Sequence, residues 1–363
     1  MKIDKVLGYS LSSPYGNSNE LGSSAGVKSV GIVEVHTGNG IVGYGETYSG
    51  VYVPELIGPT VETIGRLIVG LDASDMESIN KALDVPFVTM TGYLKSVISA
   101  IEIAIWDIAG KFQEKPISDI LTNRIESHDT KLYASSGSSI LPPEQITCDV
   151  KNVISKGFTA YKMRVGYKDW TEDLKRVEAA RLALDNGNLM VDCIMGTLNK
   201  WDLKTAISRI KELEQFNPTW IEEPLHPSMI HDLVVLKENA EIPVAMGESL
   251  CGPFEFDTYF DLNLIDIIQP DVTHCGGFAV AQGVISKAKD MDLSVALHNW
   301  GGAISSQASL QLAKDVGVDW VEVPMIRLKM VDDFKKEKFG LGVSVTDDMK
   351  SKYKLVKGSG YKI

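Results

Sequence analysis

From about residue 95 to residue 321, short β-rich runs alternate with amphipathic stretches at helical spacing. The runs that read as strands are 131–135, 160–164, 189–192, 220–222, 243–247, 265–269, 294–297 and 319–322. Ahead of them, the apolar segment 96–111 (SVISAIEIAIWDIAGK) predicts a helix ending near Gly110. Nearer the start, 27–36 (VKSVGIVEVH) and 41–46 (IVGYGE) flank Asn39-Gly40, a hairpin turn pair. Leu56, Ile57, Val61, Ile64, Leu67 and Ile68 give helical spacing within 54–83, and the Gly/Ser/Asn-rich stretch 15–26 predicts a loop, either solvated or a lid. Eight strands each followed by a helix predict an α/β protein built on a (β/α)₈ TIM barrel, behind an N-terminal α+β unit. The division expected is a capping domain over 1–120, a barrel over 121–328, and a charged segment over 329–363 that returns to the cap.

Polar residues close the strands from the second to the eighth: Lys162 with Arg164, Asp192, Glu222, Glu248, Asp271, His298 and Glu322, at intervals of 23 to 30 residues. One βα unit has about that length. In a barrel, all seven strand ends meet on one face, where the chemistry of such folds is built.

Composition narrows the partners. The 363 residues include 36 Lys plus Arg against 48 Asp plus Glu, a formal charge of −12. That balance argues against nucleic acid and against an anionic membrane surface. Four cysteines with no CxxC pair indicate neither a disulfide framework nor structural zinc. With no apolar run near the roughly 18 residues of a membrane span and no signal-peptide core, a cytoplasmic enzyme acting on a small molecule is the expectation.

Asp192, Glu222 and Glu248 close three consecutive strands. Buried together they repel one another unless a cation neutralises them, and three carboxylates with open positions suit Mg²⁺. The alternative is that each is paired with a barrel lysine or caps a helix.

Several motifs then carry a resemblance. Ile221-Glu222-Glu223-Pro224, Met246-Gly247-Glu248-Ser249, Val191-Asp192 and the 99–111 helix resemble the enolase superfamily, over essentially the whole chain and including Gly340-Leu341-Gly342. Lys162-Met163-Arg164, followed by Asp271 and His298, is similar to the mandelate racemase subgroup, which implies the modified, enolase-like form of the barrel. The resemblance implies that Asp192, Glu222 and Glu248 hold one Mg²⁺ per subunit, that the ion binds a substrate carboxylate, and that the α proton leaves to give an enediolate. It also implies a homo-oligomer. Where relatives often carry Asp-x-Asn after the third strand, this chain has Ile194, so Asn199 or Thr197 would replace the missing amide.

A carboxylate on Nδ1–H of a histidine fixes the tautomer and leaves Nε2 free to take a proton. The resemblance gives Asp271 and His298 this role. Lys162 and Arg164, two apart on one strand, point to the same side. In relatives with Lys-x-Lys the second lysine resembles a base for the opposite substrate face, but a guanidinium stays protonated and serves as a donor fork. One competent base favours dehydration of a sugar acid or similar α-hydroxy carboxylate. The alternatives are a racemase or epimerase with Lys162 or Arg164 as second base, a cycloisomerase, or a non-catalytic carboxylate-binding barrel. Glu322 is implied to contact the substrate carboxylate; otherwise it is a salt bridge at the barrel mouth. Tyr15, Asn17, Ser49 and Tyr52 belong to N-terminal loops that resemble the family's specificity lid, and Tyr161, His274 and Trp300 are further candidate substrate contacts. Gly301-Gly302 reads as a tight turn, with phosphate binding as the alternative, and His226 and His231 read as surface residues.

Overall fold

The structure, a computed structural model, describes residues 1–17, 19, 26–121, 129–167 and 169–361. Strands β1 (Ile3–Tyr15), β2 (Gly26–Thr37) and β3 (Val42–Thr47) form an antiparallel sheet in that order. β2 and β3 agree with the predicted hairpin. β1, the longest strand among the described residues, was not signalled, because Asp4, Lys5, Ser12, Ser13 and Pro14 break any apolar alternation. Its ladder with β2, from Ile3 opposite Thr37 to Tyr15 opposite Gly26, supplies the order that side-chain pattern does not. The predicted 15–26 loop falls mostly on residues outside those described.

The helical spacing over 54–83 resolves into two helices, α1 (Pro54–Gly65) and α2 (Met76–Leu83). Gly70, at φ +89°, turns the chain between them, and the Asp75 carboxylate accepts the Ser78 N–H to start α2 afresh. Helix α3 (Gly92–Phe112) is apolar on most of its circumference because it is covered on two sides, by the cap sheet and by the barrel. Gly43 and Gly45 let it lie directly on β3; a Cβ at either would collide with the carbonyls of Ala104 and Ala100.

The remaining chain alternates as expected: β4 (Lys131–Ser135), α4 (Pro143–Ser155), β5 (Ala160–Arg164), α5 (Trp170–Leu184), β6 (Asn188–Asp192), the short α6 (Met195–Leu198), α7 (Leu203–Leu213), β7 (Trp220–Glu222), α8 (Ile230–Asn239), β8 (Val244–Met246), α9 (Gly252–Asp261), β9 (Ile267–Ile268), α10 (Gly277–Asp290), β10 (Ser294–Leu297), α11 (Ala303–Val316) and β11 (Trp320–Pro324). β4 to β11 close into a parallel barrel in sequence order. One side chain from each strand fills its interior: Tyr133, Ala160, Met190, Trp220, Ala245, Ile267, Ala296 and Trp320. Large and small residues complement each other in this plug, which forms a floor beneath the C-terminal strand ends.

Two buried carboxylates join cap to barrel. Glu46 of β3 accepts the N–H groups of Gly302 and Ser305 at the start of α11, and Glu102 of α3 accepts those of Phe278 and Ala279 at the start of α10. Both satisfy amides that a helix leaves without internal partners. The C-terminal segment runs back over the cap, bridging Lys354 to Leu11 and hydrogen-bonding the Tyr361 N–H to the Val51 carbonyl. Among the described residues, no helix is long and apolar enough to cross a membrane.

Candidate active site

Register brings the polar strand ends to one level. Arg164 pairs across the ladder with Asp192, and Asp192 with Glu222. Glu248, Asp271 and His298 lie just beyond β8, β9 and β10, and Glu322 lies on β11. A cavity of about 200 Å³ opens over them, lined by Lys162, Arg164, Asp192, Glu248 and His298 at its base.

Lys162 stands at the centre. Its Nζ is 2.5 Å from Glu222 Oε1, 3.0 Å from Glu322 Oε1 and 3.9 Å from Asp192 Oδ2. Burial works against its charge, yet Glu222 and Glu322 outweigh it and hold the ammonium well above its ordinary pKa. Glu222 Oε2 accepts Trp220 Nε1–H at 3.1 Å and Gln269 Nε2–H at 2.8 Å, so the barrel floor orients this carboxylate. Arg164 donates to the Ser136 carbonyl and Ser135 Oγ, and its Nε lies 3.8 Å from Asp192.

His298 sits between carboxylates. Nδ1 is 2.7 Å from Asp271 Oδ2, while Nε2 is 3.3 Å from Glu248 Oε2 and 3.9 Å from Glu322 Oε2. Burial alone would lower the imidazole pKa; the Glu248 charge and the Asp271 hydrogen bond prevail and raise it to about 9. Burial and the Glu222 charge push Asp192 up to about 7. Burial raises Glu248 as well. Glu322 moves the other way, because Lys162 and His298 overcome its burial and hold it at about 2.

Among the described residues, no three His, Cys, Asp or Glu side chains converge as a ready-made ion cage. The triad expected from sequence is therefore split in this conformation: Lys162 holds Glu222, and His298 holds Glu248. Like charges at this depth need cations, and these two are the nearest. The donor set still carries uncompensated negative character. Buried Glu223, beside the triad and at φ +43°, has an Oε1 with no hydrogen-bond partner, and burial with the Glu248 and Asp192 charges raises its pKa well above normal. A set of buried carboxylates with an unsatisfied oxygen suits a hard divalent cation.

The substrate-contact candidates divide. Tyr15, Tyr52 and Trp300 line the cavity. Tyr161 does not: strand alternation turns it outward to donate to Asp149 of α4, while Lys162 and Arg164 point inward. Ser49 is buried in the turn after β3, where its N–H bonds to Thr47 Oγ1. Asn17 is exposed and accepts the Asn19 N–H, and His274 turns to the Ser249 carbonyl; neither lines the cavity. Thr197 and Ile194 reach the wall; Asn199 does not. The Gly301-Gly302 turn directs its amide at Glu46 rather than outward, which favours the tight-turn reading over phosphate. His231 is exposed, and His226 bonds to Ser228.

Sequence reasoning missed Tyr48, Tyr167, Tyr361, Ile140 and the hydroxyls of Ser135, Ser138 and Ser139, all of which line the cavity. The run Ser135-Ser136-Gly137-Ser138-Ser139 directly after a strand was a visible signal. Tyr361, close to the chain's end, had none. Lys28 was also missed: fully buried, it donates to the Trp300 carbonyl, and its Nζ lies 3.6 Å from the centre of the Trp300 ring.

Residues 146–348 match the enolase C-terminal domain-like family, and residues 22–122 match the mandelate racemase / muconate lactonizing enzyme N-terminal domain. The chain belongs to the mandelate racemase / muconate lactonizing enzyme family. It is 28% identical over 320 residues to a D-gluconate/D-galactonate dehydratase of Picrophilus torridus, covering 84% of this chain and 78% of that one. Other members similar to it are named as racemases and cycloisomerases. The 3,6-anhydro-D-galactonate cycloisomerase from Zobellia galactanivorans superposes with a TM-score of 0.85 at 26% identity, over 97% of this chain and 99% of that one. A crystal structure of an L-talarate/galactarate dehydratase mutant, liganded with Mg and L-glucarate, gives a TM-score of 0.83 at 25% identity, over 98% and 92% of the two chains. The family's barrel-and-cap architecture accounts for both matched regions.

Proposed function

We propose that this protein is a Mg²⁺-dependent dehydratase of a sugar acid or related small α-hydroxy carboxylate. One observation carries the reading. His298, held by Asp271, is the only histidine lining the cavity among the described residues, and of the two β5 residues that could supply a second base, Arg164 is a guanidinium and Lys162 is held as an ammonium by Glu222 and Glu322. The Arg164 environment, though buried, raises its pKa further through Asp192 and Glu322, so it is a fixed donor.

Asp192, Glu222 and Glu248 would hold the ion, with Glu223 behind them. When bound, the cation offsets the second negative charge that develops beside the substrate carboxylate as the α proton leaves. With a cation on Glu248, the charge that raises the His298 pKa is offset, and the neutral imidazole Nε2 then takes that proton. The C–H electron pair becomes the Cα=Cβ double bond as the β C–O bond breaks, and the departing hydroxide takes the proton from His298 to leave as water. The enol then tautomerises to a 2-keto-3-deoxy acid. Lys162 and Arg164 orient the oxygens at the carboxylate end.

The test is incubation with Mg²⁺ and a panel of sugar acids in D₂O, followed by NMR. Formation of a 2-keto-3-deoxy acid, abolished by a chelator, is the expected result. Deuterium entry at the α carbon without elimination would replace this reading with a racemase or epimerase.

A further inference from the structure

The cavity has two ends of different chemistry. Lys162, Arg164 and His298 lie together at the base, and among the described residues lining the cavity they are the only cationic side chains. Aromatic side chains make up much of the rest: Tyr48, whose ring centre lies 5.4 Å from that of His298, and Tyr15, Tyr52, Trp300 and Tyr361. Trp300 is their hub. Its ring centre lies 4.9 Å from that of Tyr361 with the planes at 90°, and 6.4 Å from those of Tyr48 and Tyr52. Its Nε1 donates to Tyr15 Oη at 3.0 Å, so its polar edge is satisfied, and the buried Lys28 ammonium lies over its ring, 3.6 Å from the centre.

Tyr361 is brought there by a tail that is fastened along its length. Val356 N donates to Ser12 Oγ, Ser359 Oγ lies 2.7 Å from Ser29 Oγ, and Tyr361 N donates to the Val51 carbonyl at 2.8 Å. Gly360 lies so close to the Tyr52 carbonyl that a Cβ would collide with it. An anchored tail fixes the ring before substrate arrives, which reduces the ordering cost of binding.

We propose that Tyr361 is a specificity-determining residue, and that its wall selects monocarboxylates with an uncharged, C–H-rich distal end while discriminating against dicarboxylates. This rests on reading the cavity as the site of a carboxylate-processing enzyme. The physical reason is that a second carboxylate among these aromatic side chains would lose its water with no cavity-lining cation beside it, since Lys28 does not line the cavity and is engaged by the Trp300 carbonyl and ring. The carbon-bound hydrogens of an open-chain sugar acid lie favourably on such faces, and Ser138 and Ser139, which also line the cavity, offer hydroxyls to its own hydroxyl groups.

The experiment compares an aldonate with the aldarate of the same configuration, galactonate against galactarate, in wild type, Tyr361→Ala and Tyr361→Phe, with circular dichroism to check folding. Turnover gives kcat and KM; calorimetric titration of the same acids with Mg²⁺ present gives binding where turnover is absent. The wild type is expected to prefer the aldonate by about tenfold or more, the value of one lost pairing. Tyr361→Ala is expected to raise KM or Kd for the aldonate several-fold with kcat little changed, about the worth of an aromatic contact, and Tyr361→Phe to behave as wild type. Equal or better use of the aldarate, an unaltered KM in Tyr361→Ala, or no binding of either acid overturns the proposal. Selective aldonate binding without elimination would uphold it while removing the dehydratase reading.

Discussion

Asp271 holds His298 through a hydrogen bond of 2.7 Å at Nδ1, and the other oxygen of the same carboxylate accepts both the N–H and the O–H of Thr273. The carboxylate is thereby locked in rotation, and with it the imidazole that faces the cavity. Asp271→Asn keeps the shape but presents an amide that stabilises the imidazolium poorly. A fall in kcat on the order of 10²-fold or more is expected, with KM changed only slightly. Steady-state kinetics checks this, and a kcat close to wild type would remove His298 from the role of base.

Among the described residues, Lys162 is the only ammonium beside Glu222, Glu322 and Asp192. Lys162→Met takes the nearest cation from Glu222 and leaves Asp192 and Glu322 only the longer contacts to Arg164 and His298, and removing one partner of a buried pair costs roughly 3–5 kcal/mol. The urea midpoint measured in chelator should fall accordingly, and added Mg²⁺ should restore much of it, because a divalent ion replaces the lost charge. Insensitivity of the variant to Mg²⁺ would show that these carboxylates do not form an ion site.

Arg164→Lys places an amine where a proton acceptor for the opposite substrate face would stand. Incubation in D₂O should then show α-deuteration of unconverted acid that the wild type does not produce. No new exchange would mean that the position does not face the α carbon.

Burial pushes Glu102 up to about 7, against the opposing effect of the Phe278 N–H. Its folded pKa therefore lies above the ordinary value of 4.5. The stability it contributes is complete below about pH 4.5 and is lost as pH rises through about 7. Urea midpoints at pH 5 and pH 7.5 should differ less in Glu102→Gln than in wild type. An identical pH slope would show that Glu102 titrates normally.

Much of the barrel was legible because a parallel strand covered by helices must be apolar, while its C-terminal end is free to carry a polar group. Five residues from Lys131 and five from Ala160 are strands with the predicted bounds, and the polar residues closing β5 to β7 are those at the site. β8 and β9 are shorter than predicted, since the apolar run extends past the last ladder bond. Tyr161 was misread because proximity in sequence to Lys162 says nothing about facing, and on a strand the next residue faces the other way. The aromatic wall was hidden for another reason. Tyr48, Trp300 and Tyr361 meet only through tertiary contacts between distant parts of the chain, which no local periodicity encodes.

The paired carboxylates Glu46 and Glu102 have a consequence for how such proteins diversify. Both belong to the cap and accept backbone N–H groups of barrel helices, so the helix starts need the carboxylates and the buried carboxylates need the N–H groups. A barrel transplanted under a foreign cap would expose the starts of two helices, one of them directly after the loop that bears His298. A cap exchanged onto this barrel would therefore have to bring an acidic side chain to both places, so that the entrance of the pocket and the rigidity of its base go together.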